Sequence, residues 1–312
     1  MARELVNELT WSVSRDRLFR QCERAYYYNY YGAWGGWDAA APEPIRRLYL
    51  LKNIQSMAMW GGGIVHHTIA EALRRYAEKK TPVTGQTLCR AAQAKLRRGW
   101  LEAVNRDWLA APKKTNLFEL YYGDSKTVDE SLTEALQRRV YGCLHAFADS
   151  ALCREIIAVP YMNWKPVDQL DSFTVAGIKV WCAIDFAYVD EHGALRILDW
   201  KTGAEKEDEL RLQLACYALF AIGKWHTTRE RLRLAGVFLG DQARTSEYPI
   251  DDAALREAEG KIEHSLEKMR ARLRDPAKNL AAEEDFPTCD RPRTCRHCNF
   301  RQVCPAASAR AE

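Results

Sequence analysis

The sequence predicts an α/β fold, and three observations carry that expectation. Short runs of apolar, β-branched and aromatic residues fall at 155–164, 173–189, 194–201, 234–239 and 245–250. Around them lie longer segments whose apolar residues recur every three to four positions, at 64–79, 84–111, 127–153, 208–222 and 252–274. The third is a turn, Glu191-His192-Gly193, between two apolar strands that each carry a carboxylate.

Taken in order, residues 10–31 suggest a turn followed by a helix. Ser14 is a candidate N-cap, and Leu18, Cys22 and Tyr26 follow on one stripe. The aromatic run Tyr26-Tyr27-Tyr28-Asn29-Tyr30-Tyr31 fits packing against a core better than base stacking, and Gly32 stops the helix. Gly32 to Pro44 has the composition of an irregular linker. Met59-Trp60-Gly61-Gly62-Gly63 then leads into the helix at 64–79, where His66 shares the inward face with Ile69 and Leu73. His67 is turned away by about 100°. The glycines before it allow close backbone approach.

Two further helices, 84–111 and 127–153, are separated by Pro112 and by Gly123-Asp124-Ser125. They carry the basic pairs Arg97-Arg98 and Arg138-Arg139, which suit a solvated face or a groove that tracks phosphates. The strand at 173–189 should break at Gly177. On the helix at 208–222, Leu210, Gln213, Leu214, Tyr217 and Ala221 share a stripe. Gln213 is a polar intruder there, either a helix-edge residue or one that, with Tyr217, orients a reacting group.

Composition narrows the class. With 312 residues, 47% apolar and 28% charged, the chain is an ordinary globular protein with room for a large core. A net charge of +4 neither demands nor excludes nucleic acid. The sequence contains neither a transmembrane-length apolar run nor an amino-terminal signal pattern, so a soluble, cytoplasmic protein with no membrane partner is expected. Absence of a P-loop argues against ATP-driven motor activity within this chain.

Chemistry concentrates in the hairpin Ala183-Ile184-Asp185-Phe186 to Ile197-Leu198-Asp199-Trp200-Lys201-Thr202-Gly203. Asp199 and Lys201 point to one face and Trp200 to the other. If Gly193 takes the left-handed position of a three-residue loop, His192 is the centre and Asp185 lies opposite Asp199. Two carboxylates at cross-strand distance repel, and a hard divalent cation such as magnesium or manganese resolves the repulsion. A lysine beside such a metal stabilises charge growing on a phosphate or holds the attacking water. The plain alternative is a surface hairpin with a cross-strand ion pair.

Ten cysteines are many for a reducing compartment. Cys89, Cys143, Cys153, Cys182 and Cys216 stand singly within expected helices or strands and suit buried thiols. Cys289, Cys295, Cys298 and Cys304 crowd together near the carboxyl terminus, and Cys22 stands alone near the start. Cys295 to Cys298 is a C-x-x-C step, and Pro305 follows Cys304 as proline follows ligand cysteines in ferredoxin-type runs. Spacing alone allows zinc with Cys289 as a ligand, or an iron–sulfur cluster with Cys22.

These residues together resemble the PD-(D/E)XK nuclease superfamily in its RecB-like iron–sulfur branch, which includes the AddB nuclease domain and CRISPR-adaptation exonucleases. The resemblance rests on Ser14-x-x-x-Leu18-x-x-Cys22-x-x-x-Tyr26, Gly62-x-x-x-His66, Ile184-Asp185, Leu198-Asp199-Trp200-Lys201-Thr202-Gly203, Gln213-x-x-x-Tyr217 and the Cys295, Cys298, Cys304 tail. It implies a restriction-endonuclease-like core, a central mixed sheet flanked by helices. One nuclease domain would span 1–312: an amino-terminal helix at 10–31, a helical insertion at 80–153, a catalytic sheet core at 155–250 and a cysteine clasp at 286–305.

By that resemblance His66, Asp185, Asp199 and the Trp200 carbonyl would ligate Mg2+ or Mn2+. Lys201 would be the catalytic lysine, with Gln213 and Tyr217 in support. Cys22, Cys295, Cys298 and Cys304 would hold a structural [4Fe–4S] cluster joining the two termini across a loop of about 270 residues. Glu23 stands where the family often has proline, and Cys289 is an additional thiol. The implied activity is a metal-dependent DNA exonuclease acting on single strands or duplex ends. Its partners would be DNA and proteins of repair, CRISPR adaptation or phage defence. The alternatives are a non-catalytic DNA-end or protein-binding module of the same fold, and a zinc-stabilised structural protein.

Overall fold

Alternation along four short strands decides the layering. The computed structural model describes residues 5–123, 130–203 and 207–308. Its main sheet comprises β3 (Phe186–Val189), β4 (Leu195–Lys201), β5 (Leu232–Phe238) and β6 (Arg244–Tyr248), in that spatial order. β4 and β5 are parallel and the outer pairs antiparallel, so the sheet is mixed. A separate hairpin pairs β1 (Gln169–Val175) with β2 (Ile178–Ile184) across Ala176 and Gly177, both at positive φ.

Ala187, Ile197, Leu234 and Phe238 point to one side of the sheet, with α9 (Glu207–Trp225) and α10 (Asp252–Arg270). Phe186, Leu198, Trp200 and Val237 point to the other, with α4 (Met57–Lys79), α5 (Gly85–Val104), α7 (Glu130–Asp149) and α8 (Ala151–Ala158). This mixed sheet flanked by helices fits the restriction-endonuclease-like expectation. α9 links the parallel strands, the crossover that such a pair requires. It lies close to β5, where a Cβ on Gly236 would fall 2.6 Å from Leu210 Cδ2.

The amino-terminal expectation needs two corrections. α1 (Val13–Gln21) is capped by Ser12, whose hydroxyl accepts from Arg15 N–H, rather than by Ser14. The helix then breaks at Cys22, which is extended and separates α1 from α2 (Glu23–Tyr27) and a π-turn at Tyr28–Gly32. Trp11 Nε1 donates to Ser265 Oγ, whose hydroxyl donates to the buried Asp16, fastening α1 to α10. The linker gives way at residue 43 to α3 (Glu43–Lys52). Helix α4 starts before the three glycines and absorbs them.

Residues 155–164 are not a strand. The Ser150 hydroxyl caps α8 by accepting from Cys153 N–H, and Cys153 and Ile156 bury at helical spacing. Pro160 cannot continue the helix, and a 3-10 turn at Tyr161–Asn163 follows. Strands accordingly begin at Gln169 rather than 155. The Asp124-Ser125 break and the first residues of the helix expected at 127–153 lie outside the described residues.

The carboxyl-terminal tail carries α11 (Pro292–Arg296) and α12 (Pro305–Ser308), and it packs on α2, α3 and α6 (Phe118–Tyr122). Among the described residues no helix is long and apolar enough to cross a membrane.

Candidate active site

The hairpin turn fixes the register of the acids. Gly193 is at φ +76°, and Asp190 C=O accepts from Gly193 and Ala194 closes back on Asp190. Phe186 pairs with Leu198, so Asp185, in the bend between β2 and β3, lies opposite Asp199. Asp185 Oδ2 accepts the Trp200 N–H at 2.7 Å. The Trp200 side chain faces the other layer against Phe147, so only its main chain reaches the site. Both carboxylates are buried, Asp199 to 2% exposure.

His66 enters from α4, with Nδ1 2.8 Å from Asp185 Oδ1. A carboxylate only accepts, so the proton sits on Nδ1. Burial pulls the His66 pKa down, but the charge and hydrogen bond of Asp185 outweigh it and raise it to about 9. α4 comes this near because a Cβ on Gly62 would already stand 3.1 Å from Thr202 Oγ1, and one on Gly61 2.5 Å from Leu136 Cδ1. His67 is exposed.

Lys201 Nζ lies 2.6 Å from Asp199 Oδ2 and donates to Gln213 Oε1 at 2.8 Å. Gln213 Nε2 donates to the Tyr217 hydroxyl at 2.7 Å, and that hydroxyl stands 3.1 Å from Asp199 Oδ1. Burial, and then the charge of Asp185, push the Asp199 pKa up to about 6. Burial, and then Asp199, push Tyr217 well above its ordinary value, so its hydroxyl stays protonated.

Among the described residues no three His, Cys, Asp or Glu side chains are gathered into a ready-made metal cage. The candidate ligands are engaged in pairs, His66 with Asp185 and Asp199 with Lys201. The donor set nevertheless fits a hard divalent ion: two buried, opposed carboxylates and an imidazole.

Cys22, Cys289, Cys295, Cys298 and Cys304 line a single cavity. Cys289 Sγ is 3.9 Å from Cys295 Sγ, and burial together with the nearby Cys289 thiol raises the pKa of Cys22. Burial pushes the Cys298 thiol up to about 12. An iron–sulfur clasp is not established by this arrangement. The tail is tied down by protein hydrogen bonds, among them Arg24 N–H to Pro287 C=O at 3.1 Å and Asn299 Nδ2 to Ile54 C=O at 2.8 Å. Cys143, Cys153, Cys182 and Cys216 are buried and Cys89 is half-buried.

Two features went unseen in the sequence. Arg139 of α7 donates from Nη2 and Nε to Thr202 C=O at 2.8 and 3.1 Å, bracing the residue after Lys201. Arg17 of α1 lines the cleft that holds Lys201, Gln213 and Tyr217, where it pairs with Glu209 at 3.6 Å. By sequence the Arg138-Arg139 pair suits a solvated face or a phosphate groove, and nothing local links position 139 to 202.

A family model for the PD-(D/E)XK nuclease superfamily matches residues 10–305 of the chain. No curated protein matches it. Among solved structures, the one titled "Crystal structure of SSO0001" is similar at 15% identity and a TM-score of 0.29, covering 68% of this chain and 82% of that one. That likeness is too distant to carry an argument.

Proposed function

Because the chain belongs to the PD-(D/E)XK nuclease superfamily, we propose that it is a divalent-metal-dependent nuclease that hydrolyses DNA phosphodiester bonds, an exonuclease on single strands or duplex ends. One observation carries the reading: two hydrogen-bond and ion-pair chains, Trp200–Asp185–His66 and Asp199–Lys201–Gln213–Tyr217, converge at the end of one hairpin through the opposed carboxylates. A surface hairpin does not bury two opposed carboxylates.

In this reading His66, Asp185, Asp199 and the Trp200 carbonyl hold Mg2+ or Mn2+. An ion held there would supply positive charge at a phosphate oxygen and a lowered pKa for water. Lys201 presents its ammonium where negative charge grows on the phosphate, or holds the water in line. Gln213 fixes the ammonium by accepting from it, and Tyr217 fixes Gln213 by accepting from its amide. Burial of Asp199 beside Asp185 makes the charge of the pair costly, and the Lys201 ammonium offsets only part of it.

A [4Fe–4S] cluster on Cys22, Cys295, Cys298 and Cys304, with a structural role, belongs to the same proposal, as do a cytoplasmic setting and protein partners in repair, CRISPR adaptation or phage defence. Support for the cluster is the shared cavity of five thiols. The closeness of Cys289 to Cys22 and Cys295 favours zinc as the second reading of that cavity.

The test is incubation with 5′- and 3′-labelled single-stranded and duplex DNA in Mg2+ or Mn2+. Metal-dependent shortening from one end is expected. DNA left intact under both metals, by protein that binds it normally, points to the non-catalytic module.

A further inference from the structure

Beside the catalytic strand lies a second, shallow concavity with a distinct chemistry. Arg138 and Arg139 of α7, Gly203 after β4, and Gly240 and Arg244 at the β5–β6 turn line it. Phe238 lines both this concavity and the catalytic cleft, so the two meet at the end of β5.

The placement of the three guanidiniums is specific. Arg139 is anchored by its two bonds to Thr202 C=O, which use two of its five N–H donors. Arg244 stacks over the Phe238 ring at 4.6 Å and bonds Asp241 at 2.7 Å. Arg138 is exposed, with Glu134 at 3.6 Å. The floor is backbone: a Cβ on Gly203 would lie 3.4 Å from Arg139 Nη2, and one on Gly240 3.4 Å from Thr202 C=O. Three guanidiniums over glycine backbone, with Asp241 among them holding Arg244, suit a tetrahedral oxyanion, which takes forked N–H donors.

We propose that this concavity binds a phosphodiester group of the substrate strand next to the scissile one, so that α7 holds the polynucleotide while Lys201 faces the bond to be cut. The inference deepens the nuclease reading and rests on it. Inorganic phosphate shares the chemistry, but the shared Phe238 wall favours a strand that passes through both clefts.

The experiment is a salt titration of binding, with a labelled single-stranded oligonucleotide in Ca2+ so that affinity is read apart from cleavage. Arg138→Ala and Arg244→Ala should each flatten the log K against log salt slope by roughly 0.7, the contribution of one phosphate contact on a single strand. Arg256→Ala, an exposed arginine on α10 in the opposite layer, should leave the slope unchanged. In cleavage, the two concavity variants should raise KM several-fold more than they lower kcat. Wild-type slopes in both variants overturn the proposal, as does inorganic phosphate competing on equal terms with the strand. If wild-type protein cleaves no polynucleotide, the nuclease reading fails instead, and the slopes still decide whether the concavity binds phosphates.

Discussion

The Tyr217 hydroxyl stands 3.1 Å from Asp199 Oδ1 and 2.7 Å from the Ala183 carbonyl. It has one proton for two acceptors, and it also accepts from Gln213. Through this one oxygen the helix α9, the strand β4 and the end of β2 are coupled. Tyr217→Phe removes the link without emptying the space. It should cost about 1 kcal/mol of stability, read by denaturant unfolding. It should also slow cleavage about ten-fold by loosening Gln213, read as a fall in kcat with KM little changed.

Asp199 opposes stability in the metal-free protein. Its pKa is raised from 3.8 to about 6 by burial and then by Asp185. The folded state therefore prefers the protonated form, and the stability this contributes is present below about 4 and lost as pH rises through about 6. Asp199→Asn should raise the Tm of metal-free protein at pH 7 while abolishing cleavage. A lower Tm would show that the Lys201 contact outweighs desolvation.

His66 adds a second pH window. Its pKa is raised from 6.5 to about 9 by Asp185, against the opposing effect of burial. The associated stability is complete below about 6.5 and is lost as pH climbs through about 9. A metal taking this imidazole must displace its extra proton, so apparent Mn2+ affinity should increase from pH 6.5 to 9. Calorimetry in buffers of different ionisation enthalpy should record proton release at pH 7.5, reduced in His66→Gln.

The cysteine cavity makes a compositional prediction. Protein purified without oxygen should be brown and contain iron, and Cys22→Ala, Cys295→Ala, Cys298→Ala and Cys304→Ala should each lose it. Cys289→Ser should keep it. Colourless protein with zinc, lost in Cys289→Ser, would assign the cavity to the other metal.

Much of this architecture can be read from local chemistry. Gly193 set the turn, the turn set the register, and the register placed Asp185 opposite Asp199. The α9 stripe placed Gln213 and Tyr217 on one face, a short-range rule, but left open whether that face meets Lys201. Where competing local signals existed, the reading failed. The apolar run at 155–164 suits strand or helix, and only the Ser150 cap decided for helix. Ser12 and Ser14 are equally good caps by type, and the Trp11 bridge to Val180 selected Ser12 by holding the chain extended before it. The brace from Arg139 to Thr202 spans 63 residues and has no local signature.

Whether the hairpin from Asp185 to Lys201 cuts phosphodiester bonds is decided by the rate of Mn2+-dependent degradation of labelled DNA by wild-type protein, Asp199→Ala and Lys201→Ala. The wild type should degrade DNA, and each variant should bind DNA while its rate falls by about 10²-fold or more, the scale of losing one positioned charge at the reacting centre. Degradation that survives both substitutions at the wild-type rate would contradict the claim.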